Sequence, residues 1–454
     1  KMKHSDNYYL TKASIPKAIA HLSIPMMLGM SVGVIYNLIN AFFIGLLHDT
    51  SMLTAVTLGL PMFTVLMAIG NMFGVGGGTY ISRLLGKEEG IKAKQVSAFV
   101  LYGSLVLGII CAIILGFLIN PVTHFLGADA TSFLHTKNYT LALLICSPFI
   151  IANFALEQVV RSEGASRVSM NGMIIATVVN LVFDPLLILY FDFNVVGAAV
   201  SVGLASLFSL IYYAWYLEKK SEYLSIRFKW FKATKEIVQN VFKIGVSELL
   251  LSLFLIVTTL VLNHYSMIYG EGVVAGFGVA LRVVQLPEFI CMGLYMGIIP
   301  LLAYNYGSGN IARFEKAIRA TAISIGLIVL LLSSLVFLFR FQVMHLFSDS
   351  QSVITLGVHI MVAMLISSLF SGFTGLFTST FQAIGKAIPA TIMSVSQGII
   401  FIPVIILGQH YFGLMGVIWS LTATEILTCI IGVTLFTIHN VKIASSAKTK
   451  DLAV

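Results

Sequence analysis

Long apolar stretches recur from one end of this sequence to the other, and they constrain its fold more than any other feature. A bilayer core of about 30 Å needs about 20 apolar residues per helix. Twelve stretches meet that requirement, and short polar breaks separate them. They cover residues 16–46, 52–81, 96–118, 138–159, 168–190, 195–217, 241–265, 273–303, 317–340, 353–382, 387–408 and 414–438. The pattern predicts an all-α membrane protein with twelve transmembrane helices.

The composition excludes a soluble globular chain, because 58% of the residues are hydrophobic and only 10% are charged. The four cysteines lie inside apolar stretches, so we expect no disulfide or metal framework. The net charge of +8 does not predict a nucleic-acid partner, because the basic residues lie in the loops between spans. We expect membrane lipids to surround the protein instead.

The basic residues also predict the orientation in the membrane. All lysines and arginines except Lys137, Arg282 and Arg340 fall in the N-terminal lead, the tail or the connections on the same side as both chain ends. Because cytoplasmic loops are enriched in lysine and arginine, we expect both termini in the cytoplasm. The sequence therefore predicts a multi-pass protein of the bacterial cytoplasmic membrane.

Two halves of the sequence resemble each other. Leu60-Pro61 and Leu286-Pro287 occupy matching places in spans two and eight, and Glu163-Gly164 is echoed by Ile384-Gly385 at an offset of 221 residues. Such a parallel repeat predicts two six-helix lobes with the substrate path at their interface. We divide the chain into a first lobe (1–217), a cytoplasmic linker (218–240), a second lobe (241–440) and a cytoplasmic tail (441–454).

Asp184 is the sharpest candidate for chemistry, because an ionisable group within a span is costly and needs an explanation. Thr177, Asn180 and Asp184 are spaced to share one helix face. Pro185 has no amide hydrogen, which leaves the carbonyl of Leu181 free beside the carboxylate. This set of oxygen atoms suits Na⁺, or it surrounds a carboxyl that burial makes easy to protonate.

Span one and span six bring further polar groups to the same outer depth as Asp184. We therefore predict a coupling-cation site on three helices of the first lobe. Its members are Asp184, Asn180, Asn40, Thr177 and Ser201. The alternative is that Asn180 and Asp184 only tie neighbouring helices together by hydrogen bonds.

Other ionisable residues within spans permit both a structural and a functional interpretation. Glu157 lies one turn before Arg161, so an interfacial salt bridge would account for both. Arg282 and Glu288 share span eight, but a spacing of six places them on different faces. Further polar groups of the second lobe are Glu248, His359 and Glu425.

Aromatic and methionine side chains are abundant, and a minority of them could line a cavity. Such side chains hold flat organic cations by dispersion and cation–π contacts. The residues that we predict to bind substrate are Asn37, Tyr36, Glu157, Arg282, Glu288, Phe154 and Met27.

Several motifs together resemble the multidrug and toxic compound extrusion (MATE) family, most closely its MepA-like bacterial branch. They are Leu22-Ser23-Ile24-Pro25-Met26-Met27, Val34-Ile35-Tyr36-Asn37, Asn180 with Asp184-Pro185, Arg282-Val283-Val284-Gln285-Leu286-Pro287-Glu288 and Pro300-Leu301-Leu302-Ala303-Tyr304-Asn305. The resemblance implies a V-shaped pair of lobes, rocker-switch motion and export of cationic drugs or dyes in exchange for H⁺ or Na⁺. It also implies that Asp184 and Asn180 belong to a cation site. Many relatives carry an aspartate where this chain has Asn40, which favours H⁺.

Two alternative functions remain open at this stage. A lipid-linked oligosaccharide flippase of the same superfamily would carry a more basic central cavity, whereas Arg282 is the single basic residue deep in a span here. An uncoupled channel or scaffold would not need Asp184. We expect no enzyme, because no nucleophile, base and oxyanion arrangement stands out. We also expect a monomer without a cofactor, apart from the transported H⁺ or Na⁺.

Overall fold

The computed structural model describes the backbone of residues 5–46, 48–346 and 349–451, and the side chains of these ranges except those of 38–42, 44–45 and 441–451. Twelve helices in these ranges are long and apolar enough to cross a membrane, which confirms the predicted number. The side chain of Asn40 lies outside the described residues.

The first half of the chain forms eight α-helices, six of which are membrane spans. They are α1 (Asp6–Thr11), α2 (Ile15–Gly45), α3 (Thr50–Gly86), α4 (Gly90–Phe117), α5 (Ile119–Phe125), α6 (Phe133–Ser162), α7 (Ser166–Pro185) and α8 (Asn194–Lys219). A π-helical turn, Leu186–Tyr190, extends α7 beyond Pro185. A single 3₁₀ turn, Phe228–Trp230, lies in the linker.

The second half forms six further spans, one of which is broken near its end. Its helices are α9 (Lys235–Met267), α10 (Glu271–Gly297), α11 (Ile299–Gly307), α12 (Ile311–Leu338), α13 (Arg340–His345), α14 (Gln351–Ala383), α15 (Ala387–Phe412) and α16 (Leu414–Asp451). The eighth span consists of α10 and α11, and Pro300 stands in the first turn of α11, where proline is well tolerated.

The helices pack as two six-span lobes, which confirms the predicted fold class. In the first lobe, α6 packs against α3, α4 and α8, and α7 packs against α2 and α8. In the second lobe, α14 packs against α10 and α16, and α15 packs against α9 and α16. Some buried apolar clusters lie wholly within one lobe, whereas the two largest combine residues of both lobes.

Twelve spans return the chain to the side on which it starts. We call this side the terminal face; it carries the start of α2, the linker and the end of the twelfth span. We call the opposite side the distal face; it carries the connections after α2, α7 and α9.

The two lobes approach each other closely in the terminal half of the spans. A Cβ atom on Gly76 of α3 would clash with the carbonyl oxygen of Val241 on α9, and one on Gly86 would clash with that of Tyr304. Glycine permits this backbone contact because it has no side chain. Packed backbone thus closes part of the terminal face, and the long side chain of Arg83 on α3 also crosses it, donating to the carbonyls of Gln382 at 3.3 Å and Ala383 at 3.0 Å.

Candidate functional site

Asp184 lies in the distal half of the first lobe and is almost fully buried, at 1% exposure. The hydroxyl of Tyr36 on α2 donates a hydrogen bond of 3.1 Å to its Oδ2. Its Oδ1 is buried and has no hydrogen-bond partner among the described residues. The Ser201 hydroxyl is near enough to interact with this carboxyl, but it donates to Asn180, so one carboxyl oxygen keeps no donor among the described residues.

Asn180 lies one turn before Asp184 on α7 and faces the same way. Its Oδ1 accepts a hydrogen bond of 3.1 Å from the hydroxyl of Ser201 on α8, and both residues are buried. Residues from α2, α7 and α8 thus meet at one depth, as the sequence predicts. Thr177 is half-buried, and its hydroxyl donates to the carbonyl of Met173 in its own helix.

The polar cluster around Asp184 extends to a residue that the sequence analysis missed. Tyr139 on α6 is buried and lies close enough to Asp184 to interact with its charge. A tyrosine in an apolar stretch gave no signal, because aromatic residues are common in spans. By contrast, Asn37 is exposed on α2 and points away from the buried cluster.

Glu157 and Arg161 form a buried ion pair on α6, with 3.0 Å between Oε1 and Nη1. The sequence permits a salt bridge between them as one of two interpretations, and the structure contains this pair, with Arg161 only 2% exposed. The same Nη1 contacts the sulfur of Met26 at 3.1 Å. The pair is enclosed because α2 and α7 cover this face of α6.

Glu248 occupies the corresponding part of the second lobe without a cationic partner. The Nε2 of Gln382 on α14 donates to its Oε2 at 3.0 Å and to the hydroxyl of Ser247 at 3.2 Å. Gln382 lies 221 residues after Arg161, and Ser247 lies 221 residues after Met26. The repeat therefore places an amide where the first lobe has a guanidinium.

Two more glutamates lie near the middle of the second lobe. Glu425 on α16 is 5% exposed, accepts a hydrogen bond from the amide of Gln397 and keeps its Oε2 unpartnered among the described residues. Glu288 on α10 is half-buried, and its charge acts on Glu425. A search for amides within spans would have found Gln382 and Gln397.

The remaining predicted substrate residues do not converge on one place. Arg282 is exposed on the distal part of α10, away from Glu288 on the opposite side of the same helix. Phe154 packs edge to face against Phe63, with 6.1 Å between ring centroids. The backbone of Met27 lies against Gly293 at the contact between the lobes. Phe154 and Met27 thus pack helices together in this conformation.

Comparison with known proteins identifies the transporter family. The MatE family model matches residues 25–186 and 244–407, which is more than half of the chain. The "Multidrug export protein MepA" of Staphylococcus aureus (strain NCTC 8325 / PS 47) is 40% identical over 424 residues, which cover 93% of this chain and 94% of that protein. The protein of the same name from Staphylococcus saprophyticus is 39% identical over the same length.

Solved structures share the fold over nearly the whole chain. One is described as the "Outward-facing conformation of a multidrug resistance MATE family transporter of the MOP superfamily", with a TM-score of 0.91, 26% identity, and coverage of 98% of this chain and 100% of the other. A Pyrococcus furiosus transporter matches with a TM-score of 0.89, 26% identity, and coverage of 98% and 99%; its description says that the "reverse polarity of binding pocket suggests different function".

Proposed function

Because the chain belongs to the MatE family of membrane transporters, we propose that it exports bulky organic cations in exchange for H⁺ or Na⁺ that binds at Asp184. The observation that carries this proposal is that Oδ1 of Asp184 is buried and has no hydrogen-bond partner in the part of the chain that the structure describes. A buried carboxylate oxygen without a partner is costly unless it is protonated or binds a cation. The relatives named as multidrug export proteins support the class of cargo.

The donors around Asp184 suit both coupling ions. The carboxyl, the Asn180 amide oxygen and the hydroxyls of Tyr36 and Ser201 are all oxygen ligands, which Na⁺ prefers. Protonation would remove the same uncompensated charge. With one described carboxyl in this cluster, we favour H⁺, because a single carboxyl attracts Na⁺ only weakly.

We assign the substrate contacts to two glutamates near the middle of the second lobe. Glu288 and Glu425 carry no described cationic partner, so a positively charged cargo would compensate their charge. Glu157 is already compensated by Arg161, so we expect it to contribute less. Tyr36 and Asn37 lie on α2 next to the cation site, where a cargo could reach them when the distal face is open.

The proposed cycle follows from the contact between the lobes. The lobes pack closely in the terminal half, as expected for a transporter open on its distal face. We propose that both chain ends lie in the cytoplasm of a bacterial cell and that the two lobes rock between this state and one open to the cytoplasm. Cation binding at Asp184 from outside would reshape α7 and release the cargo outward.

Efflux of ethidium from proteoliposomes under separately imposed H⁺ and Na⁺ gradients tests the proposal. One gradient should drive efflux by the native chain, and Asp184→Asn should abolish this efflux. Asp192→Asn is the matched control, because Asp192 is exposed after α7 and has a positive φ of 54° that asparagine also adopts. Equal efflux by both variants would reject Asp184. A lack of gradient-driven efflux by the native chain would instead favour a flippase.

A further inference from the structure

The short helix α1 lies on the terminal face at the place where the two lobes meet. It is joined to α2 of the first lobe by three residues, Lys12–Ser14. Most of its polar contacts, however, cross to neighbouring elements of both lobes. Nothing in the coupling mechanism proposed above uses this helix.

One arginine of the second lobe donates hydrogen bonds to the C-terminal end of α1. Arg313 on α12 donates from Nη2 to the carbonyl of Tyr9 at 2.9 Å, from Nε to that of Leu10 at 3.2 Å, and from Nη1 to that of Ala13 at 2.5 Å. The last carbonyls of a helix lack partners within the helix, and a cation there is favourable. Arg313 therefore caps α1 from the opposite lobe.

The second lobe makes two further kinds of contact with α1. The Nδ2 of Asn305 on α11 donates to the carbonyl of Leu10 at 3.1 Å. Leu10 and Ala13 are buried, and they belong to a hydrophobic cluster that includes Leu301 and Phe314. Polar and apolar contacts thus hold the same end of α1.

The first lobe holds the other side of α1. His21 of α2 contacts Asp6 at 2.9 Å between Nε2 and Oδ1, and its ring stacks on that of Tyr9 with 3.7 Å between centroids. The Nδ2 of Asn7 donates to the hydroxyl of Tyr223 in the linker at 2.7 Å. The helix thereby bridges the two lobes.

From this geometry we infer that α1 is an intramolecular strap that holds the terminal face closed by docking onto Arg313 and Asn305 of the second lobe. Opening of that face must move α11 and α12 away from the first lobe, to which α1 is covalently joined. The strap therefore has to leave Arg313 whenever the terminal face opens. The contacts of the strap therefore stabilise the closed state in addition to the close packing at Gly76 and Gly86.

Distance measurements between spin labels test the strap independently of transport. Labels replace Lys220, which directly follows α8 of the first lobe, and Lys316 in the second lobe; both are exposed. The four cysteines are substituted, and the protein is placed in lipid nanodiscs. Arg313→Gln should raise the ratio of open to closed terminal faces about tenfold, the factor expected for losing a hydrogen bond to a charged group. Arg319→Gln on the same helix is exposed and should leave the ratio unchanged.

A second variant tests the strap in case Arg313→Gln does not fold. Tyr223→Phe removes only the hydroxyl that accepts from Asn7, and it should shift the ratio in the same direction by a smaller factor. A second label pair, at Ser5 and Lys316, should lengthen together with the first pair. Equal ratios for Arg313→Gln and Arg319→Gln would overturn the inference. An open population in which the distance from Ser5 to Lys316 stays short would also overturn it.

Discussion

The first lobe and the second lobe share a helix arrangement but bury different polar groups. Asp184 and Asn180 of the first lobe correspond, at the offset of 221 residues, to Ile405 and Phe401, which are both fully buried. The second lobe instead carries Glu248, whose partner is an amide. The two lobes thus have the same fold but carry different buried ionisable side chains. This asymmetry is the basis of our proposal that the first lobe binds the cation and the second lobe binds the cargo.

The largest effect should come from placing a carboxylate in the second lobe at the position that corresponds to Asp184. Ile405→Asp should cost about 5 kcal/mol of stability, because it buries a charge and removes packed apolar atoms. The control Ile405→Val should cost about 1 kcal/mol. Denaturation of the detergent-solubilised protein measures both. Similar costs for the two variants would show that the second lobe accommodates a carboxylate as readily as the first.

Neutralising Glu157 in the buried ion pair of the first lobe should destabilise the protein more than neutralising Glu248 in the second lobe. Glu157→Gln leaves Arg161 buried without a counterion, which should cost about 3 kcal/mol. Glu248→Gln exchanges a carboxyl for an amide beside Gln382 and should cost about 1 kcal/mol. The same denaturation assay compares them. A larger cost for Glu248→Gln would contradict the view that Glu157 balances a buried cation and Glu248 does not.

The turn after α6 should make the stability of the first lobe depend on pH. Burial raises the pKa of Glu163 to about 7, although Tyr216 and Ser221 donate hydrogen bonds that lower it. The negative charges of Asp6 and Glu222 add to the rise. Since its pKa in the folded state exceeds the ordinary value of 4.5, its stabilising contribution is complete below pH 4.5 and is lost as the pH rises through 7. The equivalent residue of the second lobe is Ile384.

Thermal unfolding between pH 5 and pH 8 checks this difference between the lobes. Native protein should lose about 2 kcal/mol of stability over this interval, and Glu163→Gln should remove most of the loss. Glu315→Gln, at an exposed site on α12, serves as the control and should retain the pH dependence. The same pH dependence in both variants would contradict the role of Glu163.

The smallest expected effect concerns the cargo. Glu288→Gln should weaken ethidium binding about fivefold, because it removes one partly screened charge worth about 1 kcal/mol. Glu271→Gln removes an exposed charge at the start of α10 and should leave binding unchanged. Fluorescence titration of the purified protein gives both affinities. Unchanged affinity in Glu288→Gln would remove this residue from the cargo site.

Much of the fold could be predicted from the sequence, because apolar length and the repeat constrain it strongly. The spacing of Asn180 and Asp184 also predicted a shared face, and hydropathy predicted the depth at which Tyr36 and Ser201 meet them. Burial within a lobe is a property of tertiary packing, so the one-turn spacing predicted the pair of Glu157 and Arg161 but not its contacts with α2 and α7. Contacts between distant spans, such as that of Gln382 on α14 with Glu248 on α9, leave no periodic signal in the sequence.

The central claim is that cation binding in the first lobe controls binding of the cargo. Titration of ethidium against the purified protein at several pH values and Na⁺ concentrations tests it most directly, because linkage requires each ligand to change the affinity of the other. The coupling cation should weaken ethidium binding at least about tenfold in the native protein and in Glu288→Gln, a coupling of about 1.4 kcal/mol. Asp184→Asn should bind ethidium independently of that cation. An unchanged cation dependence in Asp184→Asn would contradict the account.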